Sequence, residues 1–434
     1  MLHDDLKKLN KYPFHMPGHK RNSDLSIVGS EIDITEIKGF DNLHAPEGSI
    51  LEIEQKLSAL YHSEQSFMLV NGSTVGLLAS VFAVTEQKDK IIISRNCHKS
   101  VYNACFLREL DVVYIEPEFN EECGFYTEIK QGEIDRAVIN NPDAKAIVIT
   151  SPTYEGYLSN VSSEIPVIID GAHGAHFGFG AFPEYPKGDI VVSSLHKTLP
   201  SLTQTAVLNI YNSTLIEKVK MYVDIFQTTS PSYVLMNSVS KCSVFLENSK
   251  YAFESYYDLL DDFYQMKLNH LKIIKTDDKG KIIVSTAECN INGSQLADIL
   301  RDDYFIECEM ESINYIVLMT SVADTKEAFT ILKKALSEID NKLKKSKINV
   351  IEKPVLPKKI CNSFEINKTE KVLFEYAKGR ISAEYIYAYP PDIPILVPGE
   401  EITDKVISNL KKMIDNKINV ISDSNLLYIL TKAD

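Results

Sequence analysis

Short apolar runs recur through the first half of the chain: Lys90-Ile-Ile-Ile-Ser94, Val112-Val-Tyr-Ile115, Ala146-Ile-Val-Ile-Thr150, Pro166-Val-Ile-Ile-Asp170, Ile190-Val-Val-Ser193 and Thr205-Ala-Val-Leu-Asn-Ile210. Amphipathic stretches such as 98–110 and 133–140 separate them. A strand with one wet face alternates apolar and polar residues, whereas these runs are apolar on both faces and need cover on both sides. The pattern predicts an α/β domain over about 51–211, with a mostly parallel sheet between helices. In such sheets ligands bind beyond the carboxyl ends of the strands. Polar residues follow four of the runs, at Arg95 to His98, Ser151 to Gly156, Gly171 to His176 and Ser194 to Thr198. They are expected to line one cleft.

The rest of the chain divides around this domain. Residues 1–50 show little periodicity but are dense in Pro, Gly, His and Asp, and read as a loop-rich arm that is either functional or a solvated tail. The large domain is expected over 51–245. A linking helix at roughly 245–275 and a small α+β domain complete 246–345, with strands at Lys281-Ile-Ile-Val-Ser285 and Ile313 to Met319 and helices at Gly293 to Arg301 and Thr325 to about Leu343. A C-terminal domain fills 346–434, with an amphipathic helix near 401–416. Lys342-Leu-Lys-Lys-Ser-Lys347 reads as a solvated helix end or linker.

Composition narrows the function. With 44% hydrophobic and 24% charged residues the chain is ordinary for a folded protein, and a net charge of −14 argues against a nucleic-acid surface. Seven scattered cysteines without metal-ligand spacing point to reduced thiols and no metal site. The start carries no signal-peptide stretch and no run approaches about 18 apolar residues, so a cytoplasmic protein outside the membrane is expected.

The chemistry concentrates at Val191-Val-Ser-Ser-Leu-His-Lys197. Alone, a lysine past a strand is most simply a solvated one. An aldehyde-binding lysine needs in addition a phosphate cradle and a carboxylate for a pyridine nitrogen, and the chain offers candidates for both. Asn71-Gly-Ser-Thr-Val-Gly76 precedes a helical segment, so its amides and the Ser73 and Thr74 hydroxyls suit an anion; an ordinary N-cap is the alternative. Asp170 ends a buried run and is placed either to protonate a pyridine nitrogen or to cap a turn. His98 could stack on a ring, and His173 and His176 follow Asp170, where structural roles are equally open.

These motifs, with Pro13-Phe-His-Met-Pro-Gly-His-Lys20, Asp41-Asn-Leu-His-Ala-Pro-Glu-Gly48, Asn96-Cys-His-Lys-Ser100, Ser151-Pro-Thr-Tyr-Glu-Gly156, Asp170-Gly-Ala-His-Gly-Ala-His176, Ser194-Leu-His-Lys-Thr-Leu-Pro200, Thr229-Ser-Pro-Ser-Tyr233 and Gly379-Arg-Ile-Ser-Ala-Glu384, stand in an order that resembles the bacterial Orn/Lys/Arg decarboxylase family. The resemblance runs over nearly the whole chain and favours the functional arm over 1–50. It implies the aspartate-aminotransferase-like fold (fold type I), a pyridoxal 5'-phosphate cofactor on Lys197, Asp170 at the pyridine nitrogen and His98 on the ring. Ser73, Thr74, Ser194 and His196 would surround the phosphate, with His173 near the cofactor and Thr229 or Ser230 reaching in from a second subunit. A homodimer with shared sites is implied, of the short form without the family's N-terminal wing domain.

The implied reaction is decarboxylation of a basic amino acid, with arginine preferred over lysine or ornithine. Asp41, Glu47 and Glu384 are the candidates for the substrate's distal cation, although each carboxylate could instead be a cap. Arg380 reads as a carboxylate holder or a domain brace. Asp392 stands where the family commonly has glycine. Aminotransfer or another fold type I reaction, and a non-catalytic cofactor-binding paralogue, are the competing readings.

Overall fold

The computed structural model describes residues 2–9, 11–346, 351, 353–354, 356–388, 393–416 and 418–433. Asp392 and Lys347 lie outside the described residues. The chain forms two compact units, residues 1–84 with 166–257, and 85–165 with 258–434.

In the first unit the strands Gln65–Leu69, Ala206–Ile210, Ile190–Ser193 and Val167–Asp170 lie side by side in that order. The last two are parallel, with Asp170 opposite Val192, and the other two pairings are antiparallel. Every residue of Val167–Asp170, Ile190–Ser193 and Ala206–Ile210 is buried, which is why these runs do not alternate. The helix Gly72–Val84 packs on these strands and buries Val75, Leu77, Ala79 and Val81. It approaches closely at Gly76, where a Cβ would stand 2.6 Å from Val192 and 2.8 Å from Leu69, so only glycine fits.

Before these strands the chain is mostly turns. Among the described residues of 7–48 there is one short 3₁₀ helix, Ser23–Leu25, and Phe14 and Val28 are almost fully exposed. The following helix, Ser49–Tyr61, buries Ile50, Ile53, Leu57 and Tyr61 on one face.

The second unit contains Lys90–Ser94, which pairs in parallel with Asp111–Ile115 on one side and Ala144–Thr150 on the other. A four-stranded antiparallel sheet follows in the order Lys272–Ile274, Lys281–Ser285, Tyr315–Met319, Met310–Glu311, with helices Gly293–Tyr304 and Lys326–Asp340. The last segment builds its own core from Phe374, Ile386, Leu396, Ile402, Leu410 and Ile429 around the helix Asp404–Asp415. The architecture is α/β, with smaller antiparallel sheets toward the C-terminus.

One expectation needs correction, and one strand adds to the pattern. The stretch 245–275 is not one helix: Tyr233–Glu247 ends at Asn248, Lys250–Tyr264 is a separate helix, and Lys272–Ile274 is a strand. The break forms because the Asn248 amide turns back to the Phe245 and Leu246 carbonyls, and the Ser249 hydroxyl donates to Leu246 O at 2.8 Å. The strand Gln65–Leu69 had not been expected at all.

Candidate active site

Lys197 sits in the four-residue helix Leu195–Thr198, directly after the strand Ile190–Ser193. Its Nζ lies 3.0 Å from Nε2 of His173, a buried residue on the 171–176 turn. An ammonium can only donate, so when Lys197 is charged His173 accepts at Nε2 and carries its proton on Nδ1. Asp170 ends the neighbouring parallel strand and is 2% exposed; its Oδ1 accepts the Ala172 amide at 3.2 Å. Because Asp170 is in register with Val192, the 27 residues from Asp170 to Lys197 return the chain to the same edge.

Beside this edge is an anion cradle. The Ser194 hydroxyl donates to Ser73 Oγ at 3.1 Å, which joins the lysine turn to the first turn of Gly72–Val84. Gly72 has φ +75° and no heavy atom within 4 Å of where a Cβ would be, and Thr74 is exposed. A helix start leaves backbone N–H groups unspent, so this room with two hydroxyls suits a phosphate. His196 Nδ1 donates to Thr205 O at 2.8 Å. Burial, together with nearby Lys197, lowers its pKa against the opposing Thr205 bond, so its ring is neutral near pH 7 with the proton on Nδ1.

Thr229 and Ser230 are exposed on the turn after Gln227. The start of that turn is fixed by Gln227 Oε1 accepting from Val70 N at 3.0 Å, Asn71 Oδ1 accepting from Thr228 N at 3.0 Å, and His44 Nε2 at 2.8 Å from Thr228 O. His176 is buried with its ring against Phe177 and Phe182, an environment of core packing.

His98 belongs to the second unit. It caps the helix Lys99–Leu107, with Nδ1 accepting from Ser100 N at 3.2 Å, which leaves the neutral ring's proton on Nε2. The loop that carries it is anchored by Arg95, which the motif reading did not single out. Arg95 is 2% exposed and donates to Pro394 O, Ile395 O and Glu400 Oε2 at 2.7, 3.2 and 3.1 Å. The available signal was an arginine placed directly after a strand whose middle, Ile91 to Ile93, is apolar.

The three distal-cation candidates differ in what already holds them. Asp41 accepts amides of Asn42, Glu47, Gly48 and Ile50 at 2.8–3.0 Å and so caps the helix Ser49–Tyr61. Burial raises its pKa, but these amides outweigh it and hold the carboxyl below its usual value. Glu384 is 1% exposed and accepts from Ser424 N, the Ser424 hydroxyl and Leu430 N. Glu47 is exposed. Arg380 pairs with Glu370. Among the described residues no group of three His, Cys, Asp or Glu could hold a metal ion, and no helix is long and apolar enough to cross a membrane.

Solved structures with the same chain path define the class. A lysine decarboxylase from Francisella novicida superposes with a TM-score of 0.80 over 100% of this chain and 80% of its own, at 18% identity. A structure of SPT with PLP matches 68% of the chain and 76% of its own at TM-score 0.53 and 14% identity. At such identities the likeness concerns the fold, which is that of the fold type I pyridoxal-phosphate enzymes, as the motif resemblance implied.

The family follows from the sequence itself. The model of the Orn/Lys/Arg decarboxylase major domain matches residues 4–303 and that of the family's C-terminal domain matches 340–419, so the chain belongs to this family of amino-acid decarboxylases. A Bacillus subtilis protein, YaaO, is 33% identical over 95% of the chain and 93% of its own length. The arginine decarboxylase of the same organism is 30% identical over 95% and 93%. The constitutive lysine decarboxylase of Escherichia coli is 26% identical over 56% of the chain and 39% of its own.

Family membership implies pyridoxal phosphate, and the residues present fit it. A lysine amine, a buried strand-end carboxylate and an open helix start lined by two serine hydroxyls supply the three kinds of group that the aldehyde, the ring nitrogen and the phosphate require.

Proposed function

We propose that this protein decarboxylates arginine in preference to lysine or ornithine, releasing the corresponding amine and carbon dioxide, with pyridoxal phosphate held through Lys197. The observation that carries the reading is the placement of Lys197, its 3.0 Å contact with His173, and Asp170 on adjacent strand ends next to the Ser73–Ser194 pair. The preference for arginine rests on the near-full-length match to an arginine decarboxylase, against the partial match to a lysine decarboxylase.

When bound, the cofactor supplies an electron sink conjugated to the substrate's α-carbon. Lys197 would hold the cofactor at its aldehyde through Nζ, and His173 would accept the proton that the ammonium must lose to become nucleophilic. Asp170 holds a proton on the pyridine nitrogen. Ser73, Thr74 and Ser194 bind the phosphate. His196, neutral with Nε2 unprotonated, borders it as an acceptor for a singly protonated phosphate. Thr229 or Ser230 reaches the phosphate from a second subunit, and His98 stacks on the ring. Of the distal-cation candidates, Glu47 has the carboxylate best placed to meet substrate, since those of Asp41 and Glu384 already serve backbone amides.

In this reading residues 1–50 are an active-site arm, 51–245 bind the cofactor, 246–345 form the small domain and 346–434 the family's C-terminal domain. The protein works as a cytoplasmic homodimer. Carbon dioxide release from a panel of arginine, lysine and ornithine tests the substrate: arginine should be turned over with the highest kcat/KM. Keto acid without carbon dioxide would point to aminotransfer instead.

A further inference from the structure

The turn that carries His173 is held by side chains as well as by its own backbone. A Cβ at Gly76 would meet the Val192 side chain, so Val192 faces the helix Gly72–Val84, and Asp170, in parallel register with Val192, faces the same way. Successive strand residues point to opposite faces, which puts Ser193 on the other side of the sheet. There a Cβ at Gly171 would stand 3.1 Å from Ser193 Oγ, and glycine leaves room for that hydroxyl.

Two sets of polar side chains reach the turn from this second face. The Tyr61 hydroxyl donates to Ala175 O, just past His173, at 2.8 Å, and the Tyr211 hydroxyl donates to Tyr61 O at 2.9 Å. The other set is a chain of donors across three strands. Ser66 Oγ donates to Asn209 Oδ1 at 2.6 Å, and Asn209 Nδ2 donates to the Tyr185 hydroxyl at 3.0 Å. The one Tyr185 proton is then left for Ser193 Oγ at 2.5 Å. The Tyr61 and Tyr185 rings, 4.7 Å apart, join the two sets.

Packing alone asks for none of these hydroxyls, since phenylalanine would fill the same ring volume. Ser66, Asn209 and Ser193 are fully buried, where a polar group is costly unless it is met. A satisfied buried network holds one geometry, because a displaced member loses a partner that water does not replace. Burial raises the pKa of the Tyr61 and Tyr185 phenols, so both remain donors near neutral pH.

We propose that Tyr61 and Tyr185 are positioning residues for His173: from the sheet face opposite the Asp170 side chain they fix the turn 171–176 so that His173 Nε2 stays within hydrogen-bond reach of Lys197 Nζ. The proposal rests on the reading that Lys197 holds the cofactor. Both hydroxyls spend their one proton on Ala175 O and Ser193 Oγ, so their effect at Lys197 passes through the turn.

A pH titration of the bound cofactor's absorbance, in the loaded full chain without substrate, tests it in wild type, Tyr61→Phe, His173→Ala and the double variant. Asp170 and His196, titratable groups on the adjoining strand end and turn, are unchanged in each. His173→Ala should shift the titration midpoint by about half a pH unit or more, and Tyr61→Phe should shift it in the same direction. Tyr61→Phe should also lower kcat about fivefold with KM changed less than about twofold. The double variant should titrate like His173→Ala, because two residues that act through one contact are not additive. A tyrosine that only fills space would leave the midpoint at its wild-type value whatever it did to stability. Should Tyr61→Phe fail to fold, Tyr185→Phe carries the same expectations. An unmoved midpoint in His173→Ala or in the tyrosine variant, or a full additional shift in the double variant, would overturn the proposal and leave Lys197 in place. A wild type with no absorbance band from bound cofactor would overturn the reading of Lys197 and the proposal with it.

Discussion

In the proposed reaction His173 would take the proton that the Lys197 amine loses. The 3.0 Å contact between Lys197 Nζ and His173 Nε2 can hold one proton between the two nitrogens, and His173 is buried. Groups that move a proton at a reacting atom contribute about 10²–10⁴-fold to rate. His173→Ala is therefore expected to keep the bound chromophore while slowing carbon dioxide release by about 10²-fold, measured as kcat on the best substrate. An unchanged kcat would reduce His173 to a packing residue. At this scale much was legible in the sequence: Lys197, Asp170, Ser73 and Ser194 stood at strand or helix ends, and the structure brings them to one edge of the first unit. The occupation of Asp41 and Glu384 by backbone amides was not legible, because an acceptor's partners depend on turns remote in sequence, as with Glu384 and Leu430.

Elements are held in place by a few polar side chains with several bonds each. Asp41 alone accepts five amides, those of Asn42, Glu47, Gly48, Ile50 and Leu51, at and before the start of Ser49–Tyr61. Losing a cap costs about 0.5–2 kcal/mol, and Asp41→Ala should fall at or above the upper end, read as a lower midpoint in denaturant unfolding. Because the amides hold its folded pKa below the unfolded one, the contribution is present above pH about 4 and disappears as pH falls through the folded value. Wild type and Asp41→Ala should therefore converge in stability toward acid pH.

The Arg95–Glu400 pair plays the same part in the second unit, where it ties the loop after Lys90–Ser94 to residues 394–400. Both side chains are about 98% buried or more, and removing one partner strands a charge, at about 3–5 kcal/mol. Glu400→Ala is expected to destabilise by that amount in chemical denaturation, and a loss under 1 kcal/mol would contradict the anchoring role. Strand and helix positions were mostly evident from periodicity. Gln65–Leu69 escaped because Ser-Phe-Met-Leu is short and lacks β-branched residues, and its strand state comes from pairing with Ala206–Ile210. The break at Asn248-Ser249 was hidden inside a polar, amphipathic stretch where two such residues carry little weight.

At the scale of the whole molecule, the proposed site needs two chains, with Thr229 or Ser230 on an exposed turn reaching the partner's site. Light scattering on the purified protein should give twice the chain mass of 48.9 kDa, and a monomer active at the same specific rate would contradict shared sites. The central claim is that Lys197 holds the cofactor for decarboxylation. Its most direct test is to follow absorbance of the bound cofactor and carbon dioxide release together in wild type and Lys197→Ala. The account predicts a yellow wild type that releases carbon dioxide from a basic amino acid, and a variant that loses both the absorbance and the activity. A Lys197→Ala protein that decarboxylates at the wild-type rate would contradict it.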